Sequence, residues 1–155
     1  MPLPACDPSR YVDCVKLGGT TALFDAAHNA VGSVVGYGES LTDSDFEVNG
    51  IVFVITDGGD NASSTTADAV KKMVRSSLKK EALESLLTIL VGVDVDPSTG
   101  KLLAQVKQDA GFDRYIELRQ ADAKSLAKLA DFVSRSIGAQ SKALGTGSKS
   151  ASLSF

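Results

Sequence analysis

The sequence predicts an α/β fold built on a parallel sheet. Two short runs, residues 51–56 and 87–93, are rich in β-branched and other apolar residues, as are strands that are buried on both faces. Segments before, between and after these runs repeat apolar residues every three or four positions, which is the helical period. Because helices and strands alternate, the strands require crossover connections, and these place helices on both faces of a parallel sheet.

The first helix is predicted over residues 21–36, where apolar residues recur at helical spacing. Thr20 or Thr21 is expected to cap it through its side-chain oxygen. Residues 37–50 are polar and contain turn formers, which predicts a loop. The apolar run at residues 51–56 follows, and it predicts a central strand.

A second helix is predicted over residues 63–78 and leads to the strand at residues 87–93. After a loop, a short helix over residues 102–110 ends at Gly111, where a left-handed cap is easily adopted. A third strand follows at residues 114–118.

The last helix is predicted over residues 122–137. Its apolar face comprises Leu126, Leu129, Ala130, Val133 and Ile137. Three strands and four helices in this order form a Rossmann-like sheet.

Composition limits the class of protein and its partners. The 155 residues are 43% hydrophobic and 23% charged, as in one ordinary globular domain. Cys6 and Cys14 match no metal-ligand spacing and do not indicate a disulfide scaffold. The net charge of -3 and the scattered basic residues exclude a nucleic-acid partner, and no apolar run approaches the roughly 18 residues of a membrane span. With no signal-peptide pattern at the N-terminus, we expect a cytoplasmic protein.

The chain divides into three predicted segments. Residues 1–17 form an N-terminal segment, and residues 18–137 form the α/β domain. Residues 138–155 are rich in Gly and Ser and lack a sustained period, which predicts a flexible tail. We expect its removal to cost less than about 1 kcal/mol of stability, unless Leu144, Leu153 or Phe155 is packed.

Two stretches carry candidate functional residues, because ligands of open α/β sheets bind at the carboxyl ends of the strands. Asp57 follows the first strand and precedes two glycines, a position suited to facing a cation and equally suited to a simple turn. Thr21 follows a glycine pair at the start of a helix, where its hydroxyl would either ligate a hard cation or cap the helix.

Together these stretches resemble a known family. GGTTALFDAAHNAV, then IVFVITDGGDN, then LTILVGVDV are similar to the C-terminal part of a von Willebrand factor type A (VWA) domain. The resemblance implies a metal-ion-dependent adhesion site in which Thr21 and Asp57 are ligands of Mg²⁺, Mn²⁺ or Ca²⁺. It also implies that a carboxylate of a protein partner takes the open coordination position.

The sequence departs from this family at one essential point. The Asp-x-Ser-x-Ser motif, which the family carries on its first strand, does not occur. The resemblance therefore implies that this strand is missing or supplied by another chain. With only Thr21 and Asp57 as ligands, the chain alone is expected to bind metal weakly or not at all.

These observations predict a non-enzymatic protein-binding or assembly module. The alternative is a metal-free interaction subunit that is completed by oligomerisation. A metal-assisted hydrolase using Asp57 and Asp60 is disfavoured, because no nucleophile or base can be named.

The missing strand also predicts the kind of assembly. Without it, one edge of the strand at residues 51–56 has no partner and is a template for another chain. We expect a homo-oligomer, in its simplest form a two-fold dimer with a continuous antiparallel junction, or pairing with a chain that supplies the missing strands. The alternative is that residues 11–17 fold back over this edge.

Overall fold

The computed structural model describes residues 7, 9, 19–79, 83–146 and 153–155. Helices and strands alternate along the chain, and the three strands form one parallel sheet in the order β1-β2-β3. The elements are α1 (Leu23–Thr42), β1 (Asn49–Thr56), α2 (Ala67–Lys79), β2 (Ser85–Val93), α3 (Pro97–Asp109), β3 (Arg114–Leu118) and α4 (Ala123–Thr146). The predicted Rossmann-like α/β fold is confirmed. Of the described helices, none has the length and apolarity that crossing a membrane requires.

Helices cover both faces of the sheet. On one face α1, α2 and α3 enclose a core to which Val31, Val70 and Leu103 contribute. On the other face α4 packs Phe132 against β2 and β3 and sets its ring edge-on to Phe53 of β1, with centroids 6.3 Å apart. The sheet is therefore the middle of three layers, as expected for this class.

Within the described residues β1 lies at one edge of the sheet, although its composition predicts a central strand. It pairs with β2 on one side, from Asn49 opposite Ser85 to Thr56 opposite Gly92. β2 is the central strand, and Ile89, Leu90 and Val91 are fully buried in it. A run that is apolar on both sides indicates that helices cover both faces of the strand and does not indicate how many strands lie beside it. Residues 11–17, the alternative cover for the outer edge, lie outside the described residues.

α4 does not end at residue 137 as predicted but continues to Thr146. The additional turns lie against the amino end of β1, where the side-chain amide of Asn49 donates to the carbonyl of Gln140 at 3.1 Å. Ala143 is buried there as well. Tertiary contacts thus continue the helix through Gly138, so the predicted start of the flexible tail is wrong. Residues 147–152 of that tail lie outside the described residues.

The buried face of α4 also differs from the predicted one. Leu126 and Ile137 are 46% and 49% exposed, whereas Phe132 is 1% exposed. The helix is rotated so that Phe132 reaches the sheet, because burying a large aromatic side chain contributes more than burying either aliphatic one. An apolar stripe of α4 therefore remains accessible.

The last residues of the chain are packed. Leu153 is half-buried against the core beneath α4, and the Phe155 ring meets Phe132 edge-on with centroids 5.4 Å apart. The expectation that the tail is solvated is therefore corrected at Leu153, whereas Phe155 keeps 49% of its surface exposed.

We predict that Phe155→Ala lowers the free energy of unfolding by about 1 kcal/mol, the typical value of an aromatic pair beyond its burial. Leu153→Ala should lower it by a similar amount. Urea unfolding monitored by circular dichroism measures both changes. Ser154→Ala, at an exposed position between them, is the control and should have no effect. Unchanged stability in all three variants would show that these residues do not pack in solution.

Candidate functional site

The two predicted metal ligands lie in the same groove. Thr21 and Asp57 both line an open depression of about 500 Å³ at the carboxyl end of the sheet. The start of α1 bounds it on one side, Leu126 of α4 lies on the other, and the end of β1 lies between them. The lining residues are Thr20, Thr21, Ala22, Leu23, Ala26, Val54, Ile55, Thr56, Asp57, Val93 and Leu126.

The backbone of Thr21 is held by the loop that follows β1. Its N–H donates to the side-chain oxygen of Asn61 at 2.7 Å. Its carbonyl accepts from the N–H groups of Asn61 and Ala62 at 3.0 and 3.2 Å. Its hydroxyl lies close to Gly58, since a Cβ added to that glycine would be 3.9 Å from it. The loop after β1 therefore sets Thr21 beside the turn that carries Asp57.

The predicted capping role of Thr20 or Thr21 is wrong. The N-cap residue of α1 is Ala22, which makes no side-chain cap hydrogen bond. The loop after β1 supplies the acceptors instead: Asp60 accepts from the N–H of Phe24 at 3.3 Å, and Ser63 accepts from the N–H of Asp25 at 3.0 Å. Acceptors brought by the tertiary fold thus replace the local cap.

The side chain of Asp25 in α1 also forms hydrogen bonds with the loop after β1. Its carboxylate accepts from the N–H groups of Ser64 and Thr65 at 3.0 and 2.8 Å. The hydrogen bond with Thr65, followed by the one with Ser64, holds the pKa of Asp25 below its ordinary value. This pairing also explains why α2 begins at Ala67 and not at the predicted residue 63, because the intervening backbone is engaged with α1.

The two acidic residues of the loop have different surroundings. Asp60 accepts from the hydroxyl of Ser63 as well as from Phe24, so its carboxylate connects the loop to α1. Asp57 is exposed at the end of β1, and its carboxylate makes no hydrogen bond with another described residue. Asp57 is therefore the carboxylate that the groove offers to a ligand.

The residues of the groove only partly fit a divalent cation. They provide one carboxylate and the hydroxyl of Thr21, whereas Mg²⁺ takes about six oxygen ligands, several of them water. The hydroxyl of Thr56 is engaged with the backbone of Gly58. Within the described part of the chain, no group of three or more His, Cys, Asp and Glu side chains is placed to hold a metal ion.

Sequence reasoning missed the side chains that hold this site together, namely Asp25, Asn61 and Ser63. Their residue types are typical of turns and caps. Their partners, however, lie about forty positions away along the chain. It also missed that Leu126 borders the groove, because the helical period assigned it to the buried face of α4.

The chain was also compared with known proteins. A scan against protein-family models and searches of curated proteins and of solved structures found no match. The resemblance to VWA domains therefore stays a prediction that depends on the quoted motifs.

We predict that Asp25→Asn lowers the melting temperature at pH 7 and lessens its fall on acidification. The pKa of Asp25 is lower in the folded state than its unfolded value of about 3.9. Its contribution is therefore present above that unfolded value and is lost as the pH falls through the folded value. Melting curves between pH 7 and pH 2 measure this. Glu47→Gln is the control, and a profile of Asp25→Asn parallel to that of the wild type would contradict the assignment.

Proposed function

We propose that this chain is a non-enzymatic protein-binding or assembly module that works through the outer edge of β1 and the groove at its end. The observation that supports this most directly is that edge. Among the described residues no strand pairs with the outer side of β1, although α1 and α4 cover both of its faces. An apolar strand with an unpaired edge is a template for another polypeptide strand.

The side chains around this edge support the same proposal. Ile55 near the end of β1 is 56% exposed, and Leu126 across the groove is 46% exposed. Neighbouring exposed apolar side chains mark interaction sites when they form a contiguous surface. Ile55 and Leu126 lie next to the outer backbone N–H and C=O groups of β1, which would form hydrogen bonds with a bound strand.

In the first form of this function, the groove is a VWA-type adhesion site. Thr21 and Asp57 would contribute a hydroxyl and a carboxylate to Mg²⁺, Mn²⁺ or Ca²⁺, and another chain would supply the remaining protein ligands. Their common position in the groove supports this form. A carboxylate of the protein partner would then complete the coordination.

In the second form, the module binds without metal and is completed by oligomerisation or by a different chain. The small number of oxygen ligands in the groove favours this form. The hydrolase alternative lacks support, because the hydrogen bonds of Asp60 assign it to positioning α1.

Calorimetric titration with Mg²⁺ or Mn²⁺ distinguishes the two forms. In the first form we expect weak binding, with a dissociation constant of about 1 mM. Thr21→Ala and Asp57→Ala should abolish it, and Thr21→Ser, which keeps the hydroxyl, should retain it. Identical titrations for the wild type and all three variants would contradict the metal-dependent form and leave the metal-free one.

Hydrogen exchange of backbone amides tests the open edge itself. We expect the amides of β1 that point away from β2 to exchange on the order of 100-fold faster than those of Leu90 and Val91 in the central strand, because only the latter are paired in the interior. Nuclear magnetic resonance resolves them individually in the full chain. Equal protection along both strands of the monomer would mean that the edge is covered, and the proposed function would fail.

A further inference from the structure

The charge and shape around the edge of β1 point to its occupant. We infer, on the basis of the proposed function, that the edge binds an extended segment of a partner polypeptide with an apolar middle and basic residues at both ends. A second copy of this chain fits the same edge poorly. Three properties of the described residues lead to this inference.

The first property is shape. At the carboxyl end of β1 the groove is bounded by α1 from one layer and by α4 from the other. A single extended strand enters such a groove and pairs with β1 through its backbone.

The second property is the apolar surface on both sides of the groove. Leu23 and Ala26 of α1 line one side, and Leu126 of α4 lines the other, next to the exposed side chain of Ile55. Successive side chains of a bound strand point alternately to the two sides. The middle of the partner segment must therefore be apolar on both faces.

The third property is charge. The loop before β1 carries Asp43, Asp45 and Glu47, all exposed, and residues 43–48 contain no basic residue. Asp57 lies at the other end of the strand. Among the described side chains, Lys142 near the end of α4 is the basic one beside the amino end of β1, and the three carboxylates there outnumber it. Basic residues at both ends of the partner segment complement this pattern.

The same pattern opposes self-pairing. In an antiparallel junction about a two-fold axis, the end of β1 that carries Asp57 lies beside the end of the other copy that carries Glu47. Like charges at neighbouring positions of paired strands are destabilising. The two-fold dimer expected from the sequence would therefore bring acidic loops together at both ends of the junction.

Fluorescence anisotropy with labelled peptides tests the inference on the full chain. The first probe is Val-Tyr-Val-Ile flanked by two lysines on each side, and the second has glutamates in place of the lysines. We expect the lysine-flanked peptide to bind at least about tenfold more tightly at low ionic strength. This difference should shrink in about 1 M salt, where charges are screened beyond about 3 Å.

Three variants locate the binding. Ile55→Lys places a charge on the exposed edge and should abolish binding of the lysine-flanked peptide. Gln108→Lys is the control, since Gln108 is exposed on α3, which packs against β2 and β3. The double variant Glu47→Lys with Asp57→Lys should reverse the preference toward the glutamate-flanked peptide.

Each outcome bears on one proposal. If both peptides bind equally and Ile55→Lys abolishes both, the edge binds strands and the inferred charge preference is wrong. A dimer at micromolar concentration that Ile55→Lys dissociates would identify a second copy as the occupant and overturn the inference alone. The inference alone would also be overturned if the lysine-flanked peptide fails to bind although the β1 amides exchange rapidly. Protected β1 amides in a monomer would instead overturn the proposed function.

Discussion

The pairing of the first turn of α1 with the loop after β1 determines the geometry of the groove at the carboxyl end of the sheet. Asp60 and Ser63 accept from the first turn of α1, and Asp25 accepts in return from Ser64 and Thr65. Each hydrogen bond contributes only about 1 kcal/mol net, but together they satisfy donors on both segments that would otherwise be left unpaired. Removing one of these acceptors therefore lowers the stability by more than the net contribution of one hydrogen bond, because its donor is left unpaired. Because this contact fixes both segments, Thr21 lies beside the turn that carries Asp57, and one groove results.

The coverage of β1 explains how an apolar strand remains at an edge. α1 and α4 bury much of its two faces, so the strand is held in place without a neighbour on its outer side. Helices that cover the faces of a strand bury its side chains, whereas a neighbouring strand pairs its backbone groups. In the described part of this chain, the faces of β1 are covered and its outer edge has no neighbouring strand. The backbone groups on the outer side of β1, which no described strand pairs, thus lie next to the accessible side chains of Ile55 and Leu126.

The order of elements was predictable from the sequence because it depends on local periodicity. All three strands and four helices are found in the predicted order, although α1 continues to Thr42 through residues predicted as a loop. The resemblance to VWA domains implied that Thr21 and Asp57 lie together, and both line one groove. Element ends were not predictable in the same way. α3 begins at Pro97 because Asp96 accepts from the N–H groups of Ser98 and Thr99, a local cap signal that the sequence reading took for a loop. The cap of α1 and the extension of α4 depend on contacts that are distant along the chain, and a single sequence does not reveal them.

Asp57 and Asp60 differ in what they contact. Asp60 connects the loop after β1 to α1, whereas Asp57 lines the groove. Hydrogen bonds to α1 commit Asp60 to the structure, so the turn can hold Asp57 at the mouth of the groove without a protein partner of its own. A carboxylate in this position attracts either a divalent cation or a basic side chain, since both offer positive charge. The two cannot use it at once, because a bound cation would reverse the local charge and repel a lysine or arginine. The proposed metal-dependent partner and the proposed basic-flanked segment would thus compete for Asp57, and a divalent cation would weaken the binding of the segment.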